Sequence, residues 1–353
     1  MSQITLQNIS KTFGDITALR NVSFDIQDSE FFVLLGPTGA GKTTTLRVIA
    51  GLEKPNEGHV LFDGQSVDAL APADRDVAFV FQQYSLYPTM TVYDNLAFPL
   101  RSPMRKIREP EIKERVTETA EKLRIGHLLK RKTARLSGGE MQRVSLGRAL
   151  VREPRLYLMD EPLSNLDAKL REALRVELKH LQKTQGSTTL FVTHDQIEAL
   201  TMGDRIGVLN KGRIVQIGTP EDIYDRPAMT FVAQLVGTPR INLHEAYCEN
   251  STLHVTGSTI HLPVPQEGCL PSSFLLGVRP EDVQIHGEGD FPGEIILVEP
   301  LGVETILHVR AGEKTVVSLV SGMTDLRLGD PVKFDIIRQR LHYFQPDGTR
   351  IAV

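Results

Sequence analysis

The run Gly36-Pro37-Thr38-Gly39-Ala40-Gly41-Lys42-Thr43 constrains this chain more than any other stretch. It fits G-x-x-x-x-G-K-[ST] without exception. In that pattern the glycines let backbone N–H groups turn inward around phosphate oxygens. Lys42 supplies a point charge to the β and γ phosphates, and the Thr43 hydroxyl can ligate Mg²⁺. At average composition such a run arises by chance in roughly one chain in a hundred of this size. Its surroundings argue further against chance. "EFFVLL" ahead of it reads as a buried strand ending at Gly36, and "KTTTLRVIA" behind it reads as a helix stopped by Gly51.

Other apolar runs also end on polar groups. "VAFVF" (77–81) is followed by Gln82, "RLYLMDEP" (155–162) carries Asp160 and Glu161, and "TTLFVTHD" (188–195) carries His194. Apolar strands alternating with helical stretches such as "DAKLREALRVELKHLQKT" predict a parallel α/β sheet. Such sheets bind ligands at the carboxyl ends of their strands. There Asp160 can hold Mg²⁺ or its water shell. Glu161, expected on the opposite side of the extended chain, can polarise a water. His194 can hydrogen-bond a γ-phosphate, and the neutral amide of Gln82 can coordinate Mg²⁺ or water. A lone His is more often a satisfied structural residue, and an isolated acidic pair is more often solvent-exposed. The shared strand-end context favours function.

Before the Gly36 turn, "ITLQNI" and "VSFDI" alternate as antiparallel strands do. From about Tyr84 to Arg152 the pattern is largely helical, and the charged run "EPEIKERVTETAEKL" reads as a solvated helix face. Within this region "LSGGEMQRVSLGRAL" (136–150) sets Ser137, Gly138 and Gly139 at a helix start. Its free N–H groups suit an anion, so the chain has a second phosphate-type turn. After about Asn242 short β-like runs alternate with Gly, Pro and Asp turns, which predicts a small all-β barrel or sandwich. The linker is placed near Gly237–Asn242.

The 353 residues suffice for two domains, and 41% hydrophobic with 24% charged residues is ordinary globular composition. A formal net charge of −4 argues against a broad basic face for nucleic acid. Two cysteines, Cys248 and Cys269, have no metal-ligand spacing and suggest a reducing compartment. The N-terminus lacks the basic and apolar regions of a signal peptide. No apolar run reaches the roughly 18–20 residues that span a bilayer.

Taken together, these motifs resemble those of the ATP-binding-cassette ATPases. Gly36 to Thr44 is similar to the Walker A loop, Gln82 to the Q-loop glutamine and Leu136–Glu140 ("LSGGE") to the family signature. Asp160 and Glu161 resemble the Walker B aspartate and catalytic glutamate, "SNLD" ending at Asp167 the D-loop, and His194 the switch histidine. Phe13 in "KTFG" matches the aromatic that stacks on adenine. Departures are mild. Thr stands for the commoner Ser at Thr38 and Thr43, and Glu140-Met141 for a commoner Gln pair.

The resemblance implies a P-loop ATPase domain over 1–236, with an antiparallel β subdomain and a helical subdomain at about 84–152. An OB-like or TOBE-like regulatory domain would occupy 243–353. It also answers why one chain carries two phosphate turns. Two cassettes pair head-to-tail, so Ser137 and Gly139 touch the partner chain's γ-phosphate. "LLGVRPEDVQI" and "RLHYFQPDGTRIAV" are similar to the appended domain of importer ATPases, most closely the maltose/multiple-sugar and glycerol-phosphate type. Polyamine, ferric-iron and sulfate importers carry related domains. The implied activity is ATP hydrolysis with Mg²⁺ at the cytoplasmic face of the inner membrane. The implied partners are a second cassette subunit, two permease subunits and, indirectly, an extracytoplasmic solute-binding protein, with no nucleic acid. The alternative is a soluble cassette ATPase of DNA repair or translation. Repair forms need a long coiled-coil insertion and translation forms usually two cassettes, and neither is visible. A non-catalytic subunit is disfavoured by intact Lys42, Glu161 and His194.

Overall fold

The computed structural model describes residues 2–102, 105–265 and 270–352, and Cys269 lies outside them. The chain divides into two compact units, Met1–Pro220 and Glu221–Val353.

The first unit is built on a six-stranded sheet. Its order is Arg213–Gly218, Arg205–Asn210, Phe31–Leu35, Thr189–Thr193, Leu156–Asp160 and Val77–Val80. All neighbours pair in parallel except the first two. Every residue of Phe31–Leu35, Leu156–Asp160 and Thr189–Thr193 is buried. Strands covered on both faces read as continuous apolar runs, which is why these three were conspicuous in the sequence. Parallel pairing also forces their carboxyl ends to one edge. Leu35 pairs with Thr193, Asp160 with Val192, and Val80 with Met159. Gly36, His194, Glu161 and Gln82 therefore follow neighbouring strands in spatial order.

A four-stranded antiparallel sheet, ordered Ile16–Ile26, Ile4–Phe13, Glu57–Phe62, Gln65–Ser66, accounts for the alternating N-terminal pattern. Its inward residues Ile4, Leu6 and Phe24 share one core with Leu46, Val48 and Ile49 of the helix Lys42–Ile49. Phe32, Leu34, Leu158 and Val192 of the parallel sheet join the same core. The helix behind the glycine turn is thus held by apolar side chains from both sheets.

The middle region forms the helices Val92–Ala97, Glu109–Lys122 and Gly138–Leu150. Helix Glu109–Lys122 buries only Ile112, Val116 and Ala120, spaced four apart. Its remaining face carries the i,i+4 pairs Arg115–Glu111 at 3.0 Å and Lys122–Glu118 at 2.6 Å. The charge run is a solvated face, as expected.

The second unit holds two five-stranded sheets around a core that includes Phe274, Phe291 and Phe334. It also contains the helix Thr230–Leu235. The compact unit thus begins earlier than the sequence boundary at 243. Arg279, 1% exposed, donates from Nη1 to the carbonyls of Ala233 (3.1 Å) and Val236 and from Nη2 to that of Tyr224 (2.8 Å). One buried guanidinium ties 224–236 to the β strands. Among the described residues, no helix is long and apolar enough to cross a membrane.

Candidate functional site

The loop after Leu35 leaves Pro37, Thr38 and Gly39 exposed, then turns inward at Ala40. Gly39 has φ +79° and Gly41 φ +110°. A Cβ on Gly41 would stand 2.6 Å from the Ala18 carbonyl oxygen, so both space and backbone conformation require glycine there. Gly41 is the N-cap of helix Lys42–Ile49 and gives no side-chain cap, and the first turn contains no acid. The positive end of this helix is left without an anion of its own.

Lys42 is 5% exposed and lies along the loop. Its Nζ donates to the carbonyls of Gly36 (2.9 Å) and Pro37 (3.1 Å) and stands 3.3 Å from Glu161 Oε1. These acceptors hold the ammonium inside the turn. The Thr43 hydroxyl donates to Asp160 Oδ1 at 3.0 Å across a sequence separation of 117. Burial raises the Asp160 carboxyl above its usual range, and the Glu161 charge adds to this. The Thr43 hydrogen bond and the Lys42 charge oppose it.

This donor set fits Mg²⁺ bound together with a nucleotide. One hydroxyl and one carboxylate lie together, and the ion would need further oxygens from outside the protein. Among the described residues no cluster of three His, Cys, Asp or Glu side chains makes a metal cage.

Glu161 departs from the sequence expectation. It does not continue the extended strand but turns off it at φ +44°. Its N–H donates to the Val192 carbonyl at 3.0 Å, and its own carbonyl accepts from the Ser164 hydroxyl at 2.9 Å. This turn sends the carboxylate between Lys42 and His194, whose Nδ1 lies 2.9 Å from Glu161 Oε2. Lys42, Glu161 and His194 form a row of cation, carboxylate and imidazole over the strand ends. Such a row can position and polarise a water beside a γ-phosphate.

The other sequence-singled residues lie at varied places. Gln82 is exposed, and its backbone carbonyl accepts from the Asn165 amide at 3.2 Å. Asn165 belongs to "SNLD", where the sequence marks only Asp167 as functional. Asp167 caps helix Ala168–Gln185 by accepting from the Leu170 N–H at 2.9 Å. Phe13 is 44% exposed, with Lys11 Nζ 4.7 Å from its ring centre.

Ser137 is the N-cap of helix Gly138–Leu150. Its bonds run to Glu140 three positions ahead, not to the Gly36–Thr43 loop. Its N–H donates to Glu140 Oε2 at 2.7 Å, and its hydroxyl stands 2.9 Å from the same oxygen. Gly138 and Gly139 lie close to Tyr84 and Leu170. Added Cβ atoms would meet Tyr84 Oη at 3.1 Å and Leu170 Cδ2 at 2.3 Å.

Comparison with known proteins extends these observations. The family model described as "ABC transporter" matches residues 19–164, and that described as "TOBE domain" matches residues 276–344. The trehalose/maltose import ATP-binding protein MalK of Thermococcus litoralis is 45% identical over 98% of this chain and 98% of its own length. The sn-glycerol-3-phosphate import ATP-binding protein UgpC of Brucella abortus is 44% identical over 100% of both chains. Among solved structures, the ATP-binding cassette MJ0796, in a dimeric post-hydrolysis state bound to ADP and phosphate, is similar. It aligns with a TM-score of 0.56 and 34% identity over 62% of this chain and 98% of that one.

Proposed function

The chain belongs to the ABC transporter family of ATPases, and we propose that it is the energy-coupling subunit of an importer for a sugar, sugar derivative or polyol. It is an ATP-hydrolysing protein that uses ATP and Mg²⁺. The observation that carries the mechanism is the Glu161 carboxylate, fixed between Lys42 and His194 at the strand ends.

In this reading the backbone N–H groups of 36–44 and the Lys42 ammonium bind the nucleotide's phosphates, and Phe13 stacks on its base. Thr43, Asp160 and Gln82 would hold Mg²⁺, which would supply charge neutralisation at the phosphates. Glu161 holds the attacking water and accepts its proton, while His194 steadies the carboxylate and meets the γ-phosphate. Ser137, Gly138 and Gly139 close the corresponding site of a second copy, with Asp167 near the junction. The first unit serves as the ATPase domain, and the second, which includes 243–353, as a regulatory domain.

The chain works at the cytoplasmic face of the inner membrane against two permease subunits, fed by an extracytoplasmic solute-binding protein. A groove in the first unit supports the permease contact. It measures about 290 Å³ and is lined by Phe79, Phe81, Tyr87, Phe98, Arg148 and Arg152. Tyr87 and Phe98 are 39% and 46% exposed and pack ring to ring at 4.7 Å. A short permease helix with mixed apolar and polar side chains fits this groove, whose wall combines the Tyr87 and Phe98 rings with polar groups. The substrate class follows from the sugar and glycerol-phosphate importers named above.

The test is ATP hydrolysis by the chain reconstituted with the membrane and binding proteins that co-purify with it. Stimulation by a sugar- or polyol-loaded binding protein is expected. Stimulation only by polyamine, ferric iron or sulfate would refute the substrate class. Failure of any membrane protein to co-purify would refute the coupling role.

A further inference from the structure

The second phosphate turn is already occupied by an acid of the same chain. Glu140 Oε2 takes the Ser137 N–H at 2.7 Å and the Ser137 hydroxyl at 2.9 Å, and the Glu140 N–H returns a longer bond to the Ser137 hydroxyl at 3.4 Å. This reciprocal capping box engages both donors of Ser137, its N–H and its hydroxyl, with a carboxylate of the same chain. These backbone bonds hold the Glu140 carboxyl below the ordinary range, so it is ionised at neutral pH. Its other oxygen, Oε1, stands 4.0 Å from the half-exposed Arg131 guanidinium. Charge from Arg143 also reaches it. Arg131 therefore offers a second berth close to the first.

We propose that Glu140 is a positioning residue that acts as a latch on the signature turn, occupying the Ser137 donors in the free chain and moving to Arg131 when a partner's γ-phosphate arrives. The inference rests on the cross-chain role proposed for Ser137. Two anions cannot share those donors, and like charges a few ångströms apart repel. Closing the two-chain site thus requires displacement of the carboxylate, and Arg131 reduces the cost of that displacement. Glu140 sets the ATP concentration at which two chains close.

The experiment uses the full chain carrying Glu161→Gln, which prevents turnover, and measures the ATP dependence of dimer formation by size exclusion and of trapped ATP per chain. Glu140→Gln retains a carbonyl acceptor for the Ser137 N–H and removes the charge. Relative to the Glu161→Gln parent, it should lower the half-maximal ATP concentration for dimerisation about tenfold, with no fall in thermal stability. Arg131→Ala should raise that concentration several-fold, and its effect should disappear when Glu140→Gln is also present. A residue that only capped the helix would not produce this coupling. An unchanged or raised midpoint for Glu140→Gln, or an equal Arg131→Ala effect in both backgrounds, would overturn the latch. Ser137→Arg serves as the control for the underlying reading. If it dimerises and traps ATP like the parent, the cross-chain role fails and the latch fails with it. If it blocks trapping while Glu140→Gln changes nothing, the latch alone fails.

Discussion

The two phosphate turns of this chain begin helices of similar kind and differ in what fills their N-termini. Gly41 caps helix Lys42–Ile49 with no side chain, no acid follows in the first turn, and Lys42 adds a cation. Ser137 caps helix Gly138–Leu150 with its hydroxyl, and Glu140 supplies an anion. The first turn has no side-chain anion at its helix cap, and its cation is held by Gly36, Pro37 and Glu161. In the second, both Ser137 donors are bonded to an acid of the same helix. An anion enters the first by filling a prepared cradle and the second only by displacing a group already bound. This comparison predicts that nucleotide binds the first turn of a lone chain, while the second turn matters only when two chains meet.

The largest expected effect lies beside the first turn. Glu161→Gln should retain ATP binding and lose about 10²–10⁴ in hydrolysis rate, since it removes the proposed acceptor of the water proton. Steady-state turnover near that of the wild type would remove Glu161 from this role.

The assignment of the two turns to different chains is tested next, by trapped ATP in mixed dimers that carry Glu161→Gln on both chains. Lys42→Ala disables the first turn and Ser137→Arg the second. With the two changes on separate chains, both defects fall in one shared site, and about one ATP per dimer should be trapped. With both changes on one chain paired to a chain lacking them, each site carries one defect, and little should be trapped. The opposite ranking would place Ser137 on its own chain's nucleotide.

A smaller contrast concerns the glycines. Gly41→Ala forces a side chain into φ +110° against the Ala18 carbonyl and should cost about 1–3 kcal/mol with loss of nucleotide affinity. Gly139→Ala meets side-chain atoms alone, chiefly the rotatable Cδ2 end of Leu170, and should cost less in a denaturant melt. Equal costs would mean that the second turn is as constrained as the first. The smallest effect is that of Ser137→Ala. Loss of the cap should reduce stability by about 1 kcal/mol while ATP binding to the single chain is unchanged. Weakened binding there would erase the distinction between the turns.

Much of this arrangement was legible in the sequence because it obeys local rules. The glycine pattern of 36–43 can satisfy its backbone only as a strand–turn–helix. The continuous apolar runs before Gly36, Gln82, Asp160 and His194 mark strands buried on both faces, and their parallel pairing then gathers those polar ends. The turn at Glu161 was not legible, because no glycine or asparagine marks it and the strand-like pattern runs up to it. It depends on the hydrogen bond to Val192, which only the assembled sheet provides, together with the local bond from Ser164. The capping box is legible in the sequence, since Ser137-x-x-Glu140 is its signature, but the same stretch also reads as an anion-binding helix start. The boundary of the second unit depends on Arg279, which reaches 43 to 55 positions back along the chain, a range at which periodicity carries no information.

The left-handed backbone of Glu161 and the buried carboxyl of Asp160 have a practical consequence for anyone engineering heat resistance. Asparagine or glycine tolerates φ +44° better than glutamate, so Glu161→Asn or Glu161→Gly should relieve local strain. Asp160 has a folded pKa above its unfolded value, so its charge costs stability at neutral pH, and that cost fades as the pH falls towards the ordinary carboxylate range. Asp160→Asn should therefore raise the melting temperature of the nucleotide-free protein while disabling the Mg²⁺-dependent reaction. A screen that ranked variants by thermal tolerance alone would enrich for inactive molecules. Any thermostabilising library for this chain should hold these two adjacent positions fixed and seek its gains elsewhere.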